Sequence, residues 1–131
     1  MGNTLKIITQ QDFISLRKTT KYLGKRFEYY SKVAAIVSRY SWQSSLELGS
    51  AYLPIVLDGD LMDRRQLGKF DVKYIHDATI TPWPIQDKSY DVFIALQVWE
   101  HLGNKQQECF AEVMRVARNA ILSFPYMWRG K

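Results

Sequence analysis

The sequence predicts an α/β protein whose core is a mainly parallel sheet with helices on both faces, preceded by a helical segment. Two observations predict this fold. After Ser44, short apolar runs alternate with helical patterns and are separated by Gly, Pro and Asp, which favours a parallel sheet. Before Ser44, apolar residues recur at intervals of three and four, the spacing of one helix face. The length of 131 residues is enough for one domain with a buried core.

Residues 1–43 are predicted to form an N-terminal helical segment. One helix is expected around Gln11–Tyr22, and Gly24 is expected to separate it from a second helix. The second helix would bury one face, made of Tyr30, Val33, Ala34, Val37 and Tyr40. Residues 44–131 are then the core of the same domain.

Five strands are predicted in this core. They are Ser45–Gly49, Ile55–Asp58, Val72–His76, Tyr90–Val98 and Ala120–Phe124. The run Tyr90–Val98 is apolar nearly throughout, as a strand covered on both faces must be. Only five residues separate Gly49 from Ile55, whereas a parallel crossover usually takes about a dozen or more. Either the helix of this crossover is reduced to a turn, which we favour, or Ile55–Asp58 is not the second strand.

A further helix is predicted between the last two strands, beginning near Asn104. Its buried stripe is expected to comprise Phe110, Val113, Met114 and Ala117, and its wet side Glu108, Glu112, Arg115 and Arg118. Cys109 would lie on the flank of this helix as an inert, partly buried thiol.

Composition and charge exclude several classes of protein. No apolar run approaches the roughly 20 residues that span a bilayer, and the first residues lack the apolar stretch of a secretory signal. The one cysteine forms no metal cluster with His76 and His101. These features predict a cytoplasmic protein with no metal site and no membrane partner. The net charge of +5 arises mainly in the N-terminal third, where basic and aromatic residues alternate; we favour a solvated helix face over a nucleic-acid surface.

Polar residues follow the predicted strands. In open parallel sheets, ligands bind beyond the carboxyl ends of the strands, so these positions are the candidate site. A nucleoside offers ribose hydroxyls, which a carboxylate can bind, and an adenine amino group, which needs an acceptor. The residues at these positions are Glu47, Gly49 and Ser50 after the first strand, Asp58, Asp60 and Asp63 near the second, His76 and Asp77 after the third, and Gln97, Glu100 and His101 after the fourth.

Five segments in order, from Leu46 to Pro125, resemble class I S-adenosylmethionine-dependent methyltransferases of the type 11 kind, with a Rossmann-like fold. Leu46–Gly49 resembles the family's first motif, an acidic residue two before a glycine. The other four are similar to the family patterns "D-A … L-P-F", "D-x-S-F-D", "V-L-E-H-L" and "E-x-x-R-V-L"; they are His76–Thr79 with Thr81–Ile85, Asp87–Asp91, Val98–Leu102 and Glu112–Val116.

This resemblance implies S-adenosylmethionine as cofactor and a small molecule, lipid or glycan as methyl acceptor. The cofactor contacts it implies are Glu47, Leu48, Gly49, Ser50, Asp60, Leu61, Asp77, Ala78, Leu96 and Gln97. Asp77 would face the adenine and Asp60 the ribose, with Asp63 in reserve and Asp58 not excluded. Glu100 and His101 are the candidate catalytic residues, because a histidine there could take a proton from a nucleophile. The alternative is that this pair only holds its loop.

The departures from the family pattern leave other functions open. The expected turn is G-x-G-x-G, whereas this chain has Gly49, Ala51 and Leu53. The family sheet continues with an antiparallel pair, so the sheet is expected to be truncated after about five strands. The uncovered edge predicts a homodimer, or cover by the N-terminal helices. The alternatives are a non-catalytic scaffold or binding domain and a nucleic-acid methyltransferase. Against part of the latter class, Gln97–Glu100 replaces the box "(D/N/S)-P-P-(Y/F)".

Overall fold

A computed structural model describes residues 5–17, 27–49, 53–66, 68–96 and 98–123. Two helices come first, α1 (Gln10–Arg17) and α2 (Phe27–Ser38). The strands follow as β1 (Ser45–Leu48), β2 (Asp60–Asp63), β3 (Tyr74–Ile75) and β4 (Tyr90–Leu96). A 3₁₀ helix (Trp99–Lys105) then leads into α3 (Gln106–Val116) and β5 (Ala117–Ser123). Within these ranges, no helix has the length and apolar character needed to cross a membrane.

The strands form one parallel sheet in the order β3-β2-β1-β4-β5. The chain therefore winds outward from β1 in one direction, returns to the centre and winds outward in the other. The strand order reverses between β1 and β4, and sheets of this kind bind ligands beyond the carboxyl ends of the strands at such a reversal. The predicted α/β, Rossmann-like, mainly parallel sheet is confirmed.

Helices cover both faces of the sheet. Alternate residues of β4 belong to different hydrophobic clusters, because successive side chains of a strand point to opposite faces. Phe93 and Ala95 pack with Cys109, Val113 and Val116 of α3. On the other face, the cluster is formed by β4, the N-terminal helices and the segment before β2; it contains Val92, Ile94, Leu96, Phe13, Tyr30, Val33, Val37, Leu53, Ile55 and Val56.

The prediction that Ile55–Asp58 is the second strand is wrong. The second strand is Asp60–Asp63, and Val56 instead forms an antiparallel bridge with Ile7 near the N-terminus. Residues 49–59 make the whole connection from β1 to β2. Eleven residues are enough to bring the chain back to the start of a parallel neighbour, because β1 spans only about 13 Å, at roughly 3.3 Å per residue. Ile55 and Val56 are apolar because they are buried under the N-terminal segment, which made them resemble a central strand.

The predicted stripe of α3 is also wrong in phase. The buried residues of the helix are Cys109, Glu112, Val113 and Val116. Phe110 is 45 % exposed and Met114 is 49 % exposed. The phase differs because Glu112 takes a core-facing position, where its carboxylate is paired, and because Cys109 is fully buried rather than partly so. Ala117 already belongs to β5.

The remaining element bounds differ modestly from the predictions. The third strand is confined to Tyr74–Ile75, β4 ends at Leu96, and β5 begins three residues before the predicted Ala120. Residues 18–26, which include the expected helix end and Gly24, lie outside the described ranges, as does Phe124. Within those ranges β5 is the outer strand of the sheet, and the homodimer across it stays a prediction.

Candidate functional site

Gly49 closes β1 at the point where the strand order reverses. Its φ of +80° lies in the left-handed region that glycine adopts without strain. Its N–H donates to the Met62 carbonyl at 3.1 Å. A Cβ at this position would lie 2.5 Å from Cγ2 of Val98, so only a glycine permits this close approach between the end of β1 and the segment after β4. The end of β1 is therefore in close contact with the segment that follows β4.

Glu47 holds the connection between β1 and β2. Its side chain is 1 % exposed. Both carboxylate oxygens accept the N–H of Ile55, at 2.9 and 3.0 Å, and one also accepts the N–H of Val56 at 3.3 Å. A buried carboxylate with backbone donors is satisfied structurally. These contacts give the predicted cofactor residue Glu47 a defined role inside the fold.

The N-terminal segment is hydrogen-bonded to the same connection between β1 and β2. The Ile8 N–H donates to the Ile55 carbonyl at 2.7 Å, and the Leu57 N–H donates to the Lys6 carbonyl at 2.8 Å. The Lys6 N–H donates to Asp58 at 2.8 Å. Asp58 thus lies in the connection before β2 begins. It accepts a backbone N–H of the N-terminal segment there and does not end a strand.

Asp60 occupies the opposite edge of the sheet from the one expected. It is the first residue of β2, paired with Leu46, so the expectation that it follows the second strand is wrong. Its carboxylate accepts the Tyr90 hydroxyl and lies 3.2 Å from Nζ of Lys73. The Tyr74 and Tyr90 hydroxyls are 2.9 Å apart. Burial raises the pKa of Tyr90, and its hydrogen bonds with Asp60 and Tyr74 act in the same direction.

Asp63, the reserve candidate, is the residue that ends β2 at the carboxyl edge. One carboxylate oxygen accepts the N–H of Arg64 at 2.7 Å. The Asp63 carbonyl accepts the N–H of His76 at 2.8 Å, which places the ends of β2 and β3 side by side. Leu61, another predicted contact, lies inside β2 and is buried. Asp63, rather than Asp60, is therefore the aspartate of β2 that lies at the carboxyl edge.

Asp77 follows β3. It is next in sequence to His76, whose N–H donates to the Asp63 carbonyl. Its Oδ1 accepts the Thr79 N–H at 2.9 Å and the Thr79 hydroxyl at 2.7 Å. These hydrogen bonds lower the pKa of the Asp77 carboxyl, and the charges of Arg64 and His76 act in the same direction. The carboxylate is therefore held in one orientation and stays ionised.

Ala78 provides a buried floor next to Asp77. Its carbonyl accepts the indole N–H of Trp83 at 2.8 Å and the thiol of Cys109 at 3.1 Å. Burial raises the pKa of the Cys109 thiol, so this sulfur is a hydrogen-bond donor rather than a nucleophile. Leu48 and Leu96, two further predicted contacts, are buried at the carboxyl ends of β1 and β4. Ser50 and Gln97 lie outside the described residues.

Glu100 and His101 lie in the 3₁₀ helix that follows β4. The Glu100 side chain is only 5 % exposed, whereas that of His101 is 77 % exposed. Glu100 Oε2 lies 3.7 Å from Nε2 of His101. Among the described residues, Glu100 Oε1 and Ser45 Oγ are the buried side-chain oxygens that have no hydrogen-bond partner. An unpaired buried carboxylate oxygen is costly and marks a position that a ligand can satisfy.

Arg115 is a residue of the site's framework that the sequence interpretation missed. Its guanidinium donates to both oxygens of Glu112 at 2.8 Å, to the Ile85 carbonyl at 2.6 Å and to Asp87 at 2.9 Å. Glu112 in turn accepts the Trp83 N–H at 2.6 Å. The pair lowers the pKa of Glu112 and raises that of Arg115. The segment after Asp77 is thereby clamped to α3, and the E-x-x-R spacing was the available signal.

A separate cleft of about 340 Å³ lies between α1 and α2. It is lined by Ile8, Thr9, Gln10, Phe13, Tyr30, Ser31, Ala34, Ala35 and Ser38. None of these residues follows a strand of the sheet, so the cleft is distinct from the carboxyl edge. In the described part of the chain, no three His, Cys, Asp or Glu side chains are grouped so that they could hold a metal ion.

The fold and this edge define a Rossmann-like domain with polar groups at its topological switch point. Residues 54–120, just over half of the chain, match the family of methyltransferase domains. The chain therefore belongs to that family. The matched stretch begins after β1 and Gly49, so the resemblance of Leu46–Gly49 to the first motif lies outside it. No curated protein and no solved structure matches the chain.

Proposed function

We propose that the protein is an S-adenosylmethionine-dependent methyltransferase, with the cofactor held by Gly49, Asp63 and Asp77. The observation that supports this proposal is the position of Asp63 and Asp77 at the ends of adjacent strands, whose backbones are joined by the 2.8 Å hydrogen bond from the His76 N–H to the Asp63 carbonyl. Gly49 follows β1 at the same edge of the sheet. Membership of the methyltransferase-domain family supports the same activity.

The residues at this edge fit the chemistry of the cofactor. Asp63 can accept the ribose hydroxyls, since an ionised carboxylate is an acceptor with several lone-pair sites. Asp77 and the buried Ala78 provide a fixed acceptor and an apolar floor for the adenine. A Cβ at Gly49 would meet the Val98 side chain, so glycine at this position keeps the end of β1 packed against the segment after β4. The adenine and the ribose of an adenosyl ligand therefore each have a candidate position at this edge.

Catalysis would consist mainly of positioning. The sulfonium of the bound cofactor supplies an activated methyl group. The chain has to hold the acceptor atom in line with this methyl group, which raises the effective concentration of the acceptor. It also has to exclude water. His101, with its largely exposed ring, is the side chain of this edge that could receive a proton from an acceptor, and Glu100 is buried beside it.

For the acceptor we propose a small molecule, lipid or glycan. The sequence after β4, Gln97–Glu100, lacks the box that amino methyltransferases of DNA carry. We therefore expect only weak, salt-sensitive association with RNA or DNA, because scattered basic side chains make non-specific phosphate contacts. A submicromolar, sequence-dependent affinity at physiological salt, measured by fluorescence anisotropy, would instead favour a nucleic-acid methyltransferase.

A non-catalytic binding domain is the second candidate, and one observation favours it. Glu47, the acidic residue of the first motif, is committed to the N–H groups of Ile55 and Val56. The family match likewise begins after that motif. A chain that binds the cofactor or its product but transfers no methyl group to any acceptor would correspond to this candidate.

Calorimetric titration with S-adenosylhomocysteine tests the proposal. Saturating ligand should raise the melting temperature by mass action, with a stabilisation of about 2.7 kcal/mol when the ligand is a hundredfold above Kd. The matched variants are Asp63→Asn and Asp60→Asn, which change the same residue type at opposite ends of one strand. We expect the first to weaken binding and the second to leave it unchanged. Absence of both heat and thermal shift at millimolar ligand would refute the proposal.

A further inference from the structure

We propose that Glu100 provides the negative charge that binds the α-ammonium group at the methionine end of the cofactor. This inference rests on the proposed function. It assigns to Glu100 an electrostatic role in cofactor binding, in place of the proton-transfer role that its neighbour His101 could have. The starting observation is the combination of nearly complete burial of the side chain with an Oε1 atom that has no partner.

The first step is energetic. Removing a carboxylate from water costs several kcal/mol unless a counter-charge or hydrogen-bond donors replace the water, as a rough general magnitude. Glu100 Oε2 has a distant and largely exposed partner in His101, at 3.7 Å, and Oε1 has none. A buried polar group of this kind is expected to have a hydrogen-bond partner from the protein, from water, from an ion or from a ligand. A cation, or a donor group on a ligand, is the species that this carboxylate lacks.

The second step is position. Glu100 lies two residues after Val98, and the Val98 side chain occupies the space beside Gly49, 2.5 Å from where a Cβ would be. The 3₁₀ helix is tied back to this point, because the His101 N–H donates to the Val98 carbonyl at 2.9 Å. Glu100 therefore belongs to the segment that meets the end of β1 at the strand-order reversal. Asp63 and Asp77 are at the ends of β2 and β3, on the opposite side of β1 in the strand order.

The third step is elimination among the carboxylates near β1. Glu47, the acidic residue of the first motif, is occupied by two backbone N–H groups of the connection. Asp60 is at the amino edge, with Tyr90 and Lys73 as partners. The other unpartnered oxygen, Ser45 Oγ, is neutral and adjoins Gly59 at the amino side of β1. Glu100 is the remaining anion at the carboxyl side of β1 and β4 among the residues described.

The test uses three adenosyl ligands and one pair of variants, all measured by calorimetry on the full chain. S-adenosylhomocysteine carries the α-ammonium group, 5′-methylthioadenosine lacks the amino-acid part, and sinefungin adds a second amine at the position of the transferred methyl group. Glu100→Gln is nearly isosteric and removes the charge. Glu108→Gln removes an exposed charge that pairs with Lys105 in the same region, and it is the control.

We expect Glu100→Gln to weaken S-adenosylhomocysteine at least tenfold and to leave 5′-methylthioadenosine within twofold of the unaltered protein. The free variant should melt at the same or a higher temperature, because an unpaired buried charge has been removed. A purely structural role would instead lower the melting temperature and weaken both ligands equally. Glu108→Gln should change neither affinity.

Three results would overturn this inference while leaving the proposed function intact. The first is equal affinity of Glu100→Gln and the unaltered protein for S-adenosylhomocysteine. The second is parallel weakening of S-adenosylhomocysteine and 5′-methylthioadenosine. The third is a loss confined to sinefungin, which would place the carboxylate at the methyl group instead of at the ammonium group. Failure of the unaltered protein to bind any of the three ligands would contradict the proposed function itself.

Discussion

The two edges of the sheet treat their acidic side chains differently. At the amino edge, the Asp60 carboxylate accepts the Tyr90 hydroxyl and pairs with Lys73, and the hydroxyls of Tyr90 and Tyr74 are hydrogen-bonded to each other. Side chains of β2, β3 and β4 are therefore bonded to one another. At the carboxyl edge, the hydrogen bonds of the Asp63 and Asp77 carboxylates are made within their own turns. Glu100 Oε1 is buried with no partner at all.

This difference shows that the position of a carboxylate along a strand decides whether its partners come from neighbouring strands or from its own turn. Asp60 and Asp63 are three residues apart at the two ends of β2. Cross-strand neighbours bind Oδ2 of the first, and such networks rigidify a fold. Local backbone N–H groups orient the second while leaving acceptor capacity unused. An edge that holds its charges through its own turns can exchange water for a ligand without breaking the sheet.

The largest expected effect comes from substituting the glycine at the carboxyl edge. Gly49→Ala should lower the free energy of unfolding by about 3 kcal/mol, because left-handed backbone strain adds to overpacking against Val98. Gly103→Ala is the control, since Gly103 also has positive φ, at 59°, but no atom lies within 4 Å of its Cβ position. That variant should lose about 2 kcal/mol from backbone strain alone, because the ψ of Gly103, −132°, also favours glycine. Urea denaturation measures both, and equal losses would show that the close approach to Val98 has no energetic consequence.

At the amino edge, Asp60→Ala should destabilise the protein without changing ligand binding. We expect a loss of about 1–2 kcal/mol, because the Tyr90 hydroxyl loses a charged acceptor in a partly exposed network. Tyr74→Phe removes only the outer hydroxyl and should cost less. Thermal denaturation gives the stabilities, and calorimetry should give S-adenosylhomocysteine affinities within twofold of each other. A large loss of affinity in folded Asp60→Ala would abolish the distinction between the edges.

At the carboxyl edge, Asp63→Asn and Asp77→Asn should have the opposite pattern. Each should weaken S-adenosylhomocysteine about tenfold, equivalent to roughly 1.4 kcal/mol, with a smaller change in melting temperature. Asp77→Asn should have the larger effect on binding, because Asp77 is the more rigidly held of the two. The reverse order in calorimetry would mean that the adenine does not lie beside Asp77.

The smallest expected effect is on the acid stability of this edge. Hydrogen bonds from Thr79 lower the folded-state pKa of Asp77, so its stabilising contribution is present above the unfolded-state pKa. It is lost as the pH falls below the unfolded-state value, about 4, and through the lower folded-state value. The stability difference between the unaltered protein and Asp77→Asn should therefore shrink over that range in denaturant titrations. Thr79→Ala should reproduce part of this change, and a difference that is constant with pH would contradict it.

The elements recognisable from sequence were those whose pattern depends on local burial. The apolar run of β4 and the periodicity of α2 predicted their elements, because a strand covered on both faces and an amphipathic helix have distinct repeats. Asp77 was also placed correctly after the third strand. Motif order supported the methyltransferase resemblance, which the family match over residues 54–120 confirms.

The phase and register of neighbouring segments could not be obtained in this way. Ile55 and Val56 have the composition of a strand. Val56 instead forms a bridge with Ile7, and the N–H groups of both residues donate to the Glu47 carboxylate. Glu112 has the composition of a surface position, yet Arg115 and the Trp83 N–H make its burial favourable. In each case the deciding partner is distant in sequence, so no local pattern contains it.

The sequence by itself determined the class of fold, the order of most of its elements and the resemblance to methyltransferase domains, because hydrophobic repeats and motif order are properties of neighbouring residues. Tertiary structure alone decided that Asp63 rather than Asp60 ends the second strand, that Glu47 is committed to the β1–β2 connection, and that Glu100 is left with an unpaired oxygen. These three outcomes depend on which strand ends and backbone donors meet in space. Packing of the whole sheet sets that geometry. A buried polar group needs a hydrogen-bond partner, which the protein, water or a ligand can supply.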